Sequence, residues 1–74
     1  MTKELEINRF VIMCVEQYAN HISQPSDITY KMMLDSEIID ELIDDYEDLH
    51  GMSFTYLNDY IDSLLGQNNG THSL

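Results

Sequence analysis

Between residues 38 and 49 the apolar side chains recur at the spacing of one helix face, and no other feature limits the fold of this chain as strongly. At about 100° per residue they fill one arc, and the carboxylates of the segment fill an arc of roughly 140° on the opposite side. We predict a third helix that begins after Asp35 or Ser36 and ends at Gly51, a typical C′ residue. Its apolar residues are Ile38, Ile39, Leu42, Ile43, Tyr46 and Leu49.

Two further segments have the same spacing. The first should form the central helix and end before Pro25, because proline cannot continue a helix. The last begins at Ser53, a candidate N-cap, and ends at Gly66. The first stripe is Ile7, Phe10, Val11, Cys14, Val15, Tyr18 and Ile22, widened by Ile12 and Met13, and the last is Phe54, Leu57, Tyr60, Ile61, Leu64 and Leu65.

The second segment has two interpretations. Ser26 before Asp27 fits an N-cap followed by an acid in the first turn, which predicts a short helix with Ile28, Met32 and either Tyr30 or Met33 facing inward. The alternation of Ile28, Tyr30 and Met32 also fits a strand. We favour the helix.

The length of 74 residues limits the chain to one small domain, since such a chain buries only about 60% of its unfolded surface. We predict an all-α fold, a small bundle of three to four helices. Residues 1–66 should form a single helical domain and residues 67–74 a disordered C-terminal tail. A roomy internal active site is not expected.

The charge of the chain excludes several classes of function. Fourteen acidic against three basic side chains give a formal charge of −11 at pH 7. Such a surface repels phosphates, so we expect no direct binding to nucleic acid and none to a membrane. The longest apolar run, Phe10 to Val15, is far shorter than the roughly 20 residues that span a bilayer, and the chain does not begin with a signal-peptide pattern. A cytoplasmic location follows.

The third helix carries an unusual excess of acids. Solvated helix faces usually mix charges of both signs, whereas no lysine or arginine follows Lys31. Its like-charged i, i+4 pairs cost on the order of 1 to 2 kcal/mol in total. This excess predicts a partner-binding surface, with a solvated face that serves solubility as the alternative. The candidate partner-binding residues are Glu37, Asp40, Glu41, Asp44, Asp45 and Asp48.

A surface of this kind predicts a basic partner protein. We expect a non-enzymatic binding module, antitoxin-like or an inhibitor of that partner. With Asp35 and Glu47, the segment carries one acid per roughly 2.6 Å of helix, against one charge per about 1.7 Å of duplex DNA. A nucleic-acid mimic that blocks a DNA- or RNA-binding protein, as some phage inhibitors do, is therefore one alternative, and a structural homo-oligomer is another. The residues that would pack between copies are Met32, Met33, Phe54 and Leu57.

Residues with catalytic or metal-binding chemistry do not converge in this sequence. Glu47 and His50 match the Glu-x-x-His spacing of di-iron bundles, but those sites need a second such pair, which the chain lacks. Cys14 lies in an apolar stretch and should be a small buried hydrophobe. We therefore predict no enzymatic activity, no catalytic residue, no metal site and no cofactor.

Three short motifs mark the chain: Cys-Val-Glu-x-Tyr at 14–18, Tyr-x-x-Leu-His at 46–50 and Asp-Tyr-Ile at 59–61, with Phe10 ahead of the first. In order and approximate spacing they resemble a family of short bacterial domains of unknown function common in Firmicutes. The resemblance implies an all-helical fold. Genes of that family often lie beside genes for proteins similar to ADP-ribosyltransferases, which implies a toxin with a small neutralising partner. The chain departs from the family in its heavier acidity and in Glu47, where Asp is usual.

Overall fold

The structure, a computed structural model, describes residues 2–69, with side chains through residue 66. This part of the chain forms five helices: α1 (Lys3–His21), α2 (Ser26–Asp35), α3 (Ile38–Asp44), α4 (Tyr46–Leu49) and α5 (Phe54–Asn69). No strand occurs among residues 2–69. The prediction of an all-α fold is confirmed, and the strand interpretation of the second segment is wrong.

Helix α1 is central, since it packs against α2, α3 and α5. The Thr2 hydroxyl accepts a hydrogen bond from the backbone N–H of Leu5 at 3.2 Å, which satisfies a donor left free at the helix start. Ile12 and Met13 do not widen the buried stripe, because each lies roughly 120–140° from its centre on the helix. Both are exposed. The buried residues are Phe10, Val11, Cys14, Val15, Tyr18 and Ala19.

The buried face of helix α2 agrees with the predicted one only at Met33. Thr29 and Met33 are buried, whereas Ile28 is exposed and Met32 only half-buried. The Thr29 hydroxyl donates to the carbonyl oxygen of Pro25 at 2.9 Å and accepts from the Gln24 amide at 3.0 Å. These bonds satisfy a polar side chain inside the core, so Thr29 rather than Ile28 faces inward. Ser26 is the first residue of α2 and not its N-cap.

The predicted third helix is divided into two at Asp45. Its backbone angles, φ −101° and ψ 17°, lie outside the helical region and separate α3 from α4. The start also differs, because Asp35 ends α2 and Glu37 adopts a left-handed conformation, φ 65°, ahead of α3. Of the predicted stripe, only Ile43 is exposed. The buried members are Ile38, Ile39, Leu42, Tyr46 and Leu49.

Helix α5 begins as predicted and ends later. The Ser53 hydroxyl accepts the backbone N–H of Tyr56 at 3.1 Å, which confirms the predicted cap. Phe54, expected in the core, is exposed, and Asn58 is buried instead. The helix continues through Gly66 to Asn69, so the predicted end at Gly66 is wrong. The predicted tail beyond that point, residues 70–74, lies outside the described residues.

The core joins the three longest helices to α3 and α4. Tyr18 on α1 is buried, and its hydroxyl donates a hydrogen bond to the carboxylate of Asp62 on α5. The bond ties together two helices whose apolar stripes already pack against each other. Within residues 2–69, no helix combines the length and the apolar character that crossing a bilayer requires.

Candidate functional site

The break at Asp45 rearranges the predicted acidic residues. Asp40, Glu41 and Asp44 lie on α3, Glu37 lies ahead of it, and Asp48 lies beyond the break on α4. All five are exposed. We call these five residues the acidic face: Glu37, Asp40, Glu41, Asp44 and Asp48.

Asp45 has a different environment from the acidic face. It is half-buried, and its carboxylate accepts a hydrogen bond from the Tyr60 hydroxyl of α5 at 2.7 Å. Burial, and then this hydrogen bond, raise the pKa of Tyr60 above its usual value of 10.0. Asp45 therefore links the junction of α3 and α4 to α5.

We expect Tyr60→Phe to lower the free energy of unfolding by about 1 kcal/mol, because it removes a hydrogen bond to a half-buried carboxylate. Tyr56→Phe is the matched control, since Tyr56 lies one turn earlier on α5 with an exposed ring. That control should change stability by less than about 0.5 kcal/mol. Urea unfolding of the three proteins measures both differences. Equal effects of the two substitutions would show that the bond to Asp45 contributes nothing.

Tyr60→Phe and Tyr56→Phe should also differ in how their free energy of unfolding changes at alkaline pH. Because the pKa of Tyr60 is raised in the folded state, the unfolded chain loses this proton first once the pH exceeds about 10.0. The contribution of the Tyr60 hydroxyl to the free energy of unfolding is fully present below that pH and decreases above it. Tyr60→Phe should therefore make the decrease between neutral pH and pH 10.5 shallower than in the unchanged protein and in Tyr56→Phe.

Both lysines already pair with acids at the ends of the acidic segment. Lys3 of α1 contacts Glu47 at 2.5 Å, and Lys31 of α2 contacts Asp35 at 3.6 Å. The hydrogen bond from Lys3, and then its charge, hold the pKa of Glu47 below its usual range. No ion pair among residues 2–66 involves the acidic face. The two lysines thus pair with Glu47 and Asp35, and the five residues of the acidic face have no ion pair among residues 2–66.

His50 serves as a packing residue at the end of α4. Its ring stacks on Tyr46 with centroids 4.7 Å apart, and its Nδ1 lies 3.0 Å from the Tyr46 carbonyl oxygen. Tyr46 in turn meets the Phe10 ring edge-on at 5.3 Å. Within the described residues, no group of three or more His, Cys, Asp or Glu side chains is arranged to hold a metal ion.

Cys14 lies inside the core. It is a free cysteine with 1% of its surface exposed, and burial raises the pKa of its thiol to about 12. A thiol with this pKa remains protonated at neutral pH, and its burial keeps it from contact with solvent. The prediction that Cys14 is a buried hydrophobe is confirmed.

An apolar groove lies between α1, α2 and α3. It consists of two adjoining cavities of about 430 and 260 Å³ that share Ile12 and Tyr30. The apolar stripes predicted that Ile12 and Ile43 lie in the core, and the sequence analysis did not predict this groove. The missed signal is the position of Ile12 on the far side of its stripe. The larger cavity is lined by Asn8, Val11, Ile12, Tyr30, Ile39 and Ile43, and the smaller by Ile12, Val15, Glu16, Ser26, Asp27 and Tyr30.

The contact surface suggested for a homo-oligomer is largely occupied within the chain itself. Met33 and Leu57 are 0% and 1% exposed and belong to the core. Of the other two, Phe54 is 47% exposed and Met32 is half-buried. These four residues therefore do not form one exposed stripe.

Comparison with known proteins identifies a family. A family model described as a protein of unknown function, DUF3791, matches residues 9–68. The matched range begins within α1 and extends almost to the end of α5. No curated protein and no solved structure matches this chain.

Proposed function

This chain belongs to the DUF3791 family of proteins of unknown function, and we propose that it is a non-enzymatic binding module for a basic protein. Partner binding would use the acidic face, and the effect would be to neutralise or inhibit the partner. The resemblance noted from the sequence favours an antitoxin-like role in bacterial cytoplasm, with a toxin similar to ADP-ribosyltransferases as the target.

The observation that carries the proposal is the distribution of charge around α3. Five exposed carboxylates lie on α3 and its flanks with no basic partner, although the chain pairs both of its lysines with neighbouring acids. Such a surface attracts cationic partners, speeds their encounter and repels anionic ones. A partner that supplied lysine or arginine here would relieve like-charge repulsion as well as form new ion pairs.

A nucleic-acid mimic remains the second candidate, since the density of acids along residues 35–48 supports it. The break at Asp45 bears on this alternative because it interrupts the line of charges between Asp44 and Asp48. A mimic must follow the path of a phosphate backbone, whereas a partner-specific surface need not. Competition by duplex DNA for the captured partner distinguishes the two candidates.

The test is capture of a partner from host lysate with the tagged full chain, followed by affinity measurement with variants. We expect D40N/D44N/D48N to bind the captured partner at least about tenfold more weakly, because these carboxylates face it directly. The control E4Q/E6Q/D59N removes the same number of charges from exposed positions elsewhere. It should bind nearly as tightly as the unchanged chain.

Salt dependence completes the test. Binding should weaken strongly between low salt and about 0.5 M salt, where exposed charges are screened. Equal losses in the two triple variants would show that only net charge matters. Full binding by D40N/D44N/D48N would remove the acidic face from the interface.

A further inference from the structure

The apolar groove between α1, α2 and α3 is left uncovered by the chain's own described residues. Ile12, Tyr30 and Ile43 are 57%, 44% and 41% exposed around its opening. Val11, Val15 and Ile39 line the groove more deeply and are buried. We propose that this groove is the docking site for an amphipathic helix of the partner protein, one whose apolar stripe is bordered by lysine and arginine.

The dimensions of the groove suit a short helical segment. Its α1 wall extends from Asn8 to Glu16, which corresponds to about 12 Å along the helix. Anchors at positions i, i+3 or i+4, and i+7 of a docked helix span roughly 10.5 Å. Two turns of such a helix would place three apolar side chains along the two cavities. The exposed side chain of Leu5, seven residues before Ile12 on the same helix face, lengthens this apolar wall.

The rim of the groove determines the chemistry of the occupant. Glu16 and Asp27 line the smaller cavity, and on α3 the exposed Asp40 and Asp44 lie about 100° around the helix from the lining residues Ile39 and Ile43. None of the four forms an ion pair among the described residues. Of the basic residues near the groove, Lys31, beside Tyr30, pairs with Asp35, and Arg9 is exposed three residues before Ile12, so acids outnumber cations around the opening. An apolar floor with an anionic rim complements an apolar stripe with cationic borders.

The same charges argue against a second copy as the occupant. Each chain carries a formal charge of −11, and contact through this groove would bring two acidic rims together. Like charges placed opposite one another oppose association, whereas a basic helix gains from the same rim. This inference rests on the proposed function because it requires a basic partner. It adds that the binding segment of the partner is a helix with an apolar stripe.

The experiment measures binding of a synthetic peptide of about 15 residues to the full chain at 150 mM salt. The peptide has leucines at helix positions i, i+3, i+4 and i+7 and lysines elsewhere, and a scrambled peptide of identical composition lacks the stripe. We expect the striped peptide to bind at least about tenfold more tightly. The variant I12S/Y30S should lose about tenfold or more of that affinity. Ile28→Ser, also at an exposed apolar residue but outside the groove, should lose little.

Several results would overturn the groove proposal. If the scrambled peptide binds as tightly as the striped one, binding is electrostatic alone, and the acidic face stands without the groove. If neither peptide binds, or I12S/Y30S binds normally, the groove is not the docking site. Self-association that I12S/Y30S abolishes, measured by sedimentation, would make a second copy the occupant. The acidic face is judged separately, by the captured partner and D40N/D44N/D48N.

Discussion

Leu42→Ala should lower the free energy of unfolding by about 2–5 kcal/mol. Leu42 is 0% exposed and lies within the core, where α3 packs against α1 and α5. Removal of most of its side chain loses apolar burial and leaves a cavity that a small core closes only partly. Domains of this size have stabilities near the low end of roughly 5–15 kcal/mol, so the variant should be close to unfolding at 25 °C.

The matched control is Ile43→Ala, which removes a side chain of similar size from the adjacent residue. Ile43 is 41% exposed, so its replacement should cost much less than that of Leu42. Urea unfolding followed by circular dichroism measures both variants against the unchanged chain. Leu42 and Ile43 differ by about 100° around the helix. Equal destabilisation by the two substitutions would therefore mean that Leu42 does not face the core.

Residue-level burial in α1 and α3 could be predicted because their apolar stripes are long and regular. Five of the six stripe residues of the predicted third helix are buried, and the exception, Ile43, lies at the edge. The apolar pattern of helix α2 is less regular, since it fits a helix or a strand. There the bonds of Thr29 to Pro25 and Gln24 determine which side faces inward, and they depend on the turn before the helix. Local apolarity predicted Ile28 instead.

The break in the third helix coincides with contacts between residues distant in sequence. Nothing in residues 38–49 marks Asp45 as the end of a helix, since neither glycine nor proline is present there. Its carboxylate meets Tyr60 fifteen residues later, and the next residue, Tyr46, packs against Phe10 near the other end of the chain. Helical periodicity describes one isolated segment and contains no information about such partners. Gly51 likewise lacks the positive φ that a C′ glycine in the left-handed conformation would have.

The candidate site was partly predictable for the same reasons. A helical projection places Asp40, Glu41 and Asp44 opposite the apolar stripe, and all three are exposed. The sequence also shows that no lysine or arginine follows Lys31. It does not show that Lys3, near the start of the chain, pairs with Glu47. The apolar groove forms only when three helices come together. The position of Ile12 off its stripe indicates exposure, but only the packing of the three helices brings Ile12, Tyr30 and Ile43 around a common opening.

Alkylation of Cys14 should be at least about a hundredfold slower in the native chain than in the denatured chain at pH 8. The difference between a pKa of about 12 and the usual 9.0 lowers the thiolate fraction about a thousandfold, and 1% exposure keeps the reagent away. Reaction then proceeds mainly through unfolded molecules, whose population is small. A thiol-reactive chromophore reports on this residue alone, because the chain has one cysteine.

The variants with altered stability provide the control for this measurement. Leu42→Ala should speed the native reaction in proportion to its effect on unfolding, whereas Ile43→Ala should leave it nearly unchanged. In denaturant all three chains should react at the same rate, since the thiol is then in water. A native rate within tenfold of the denatured rate would mean that Cys14 is accessible without unfolding. It would also mean that α1 does not form the closed centre of the bundle.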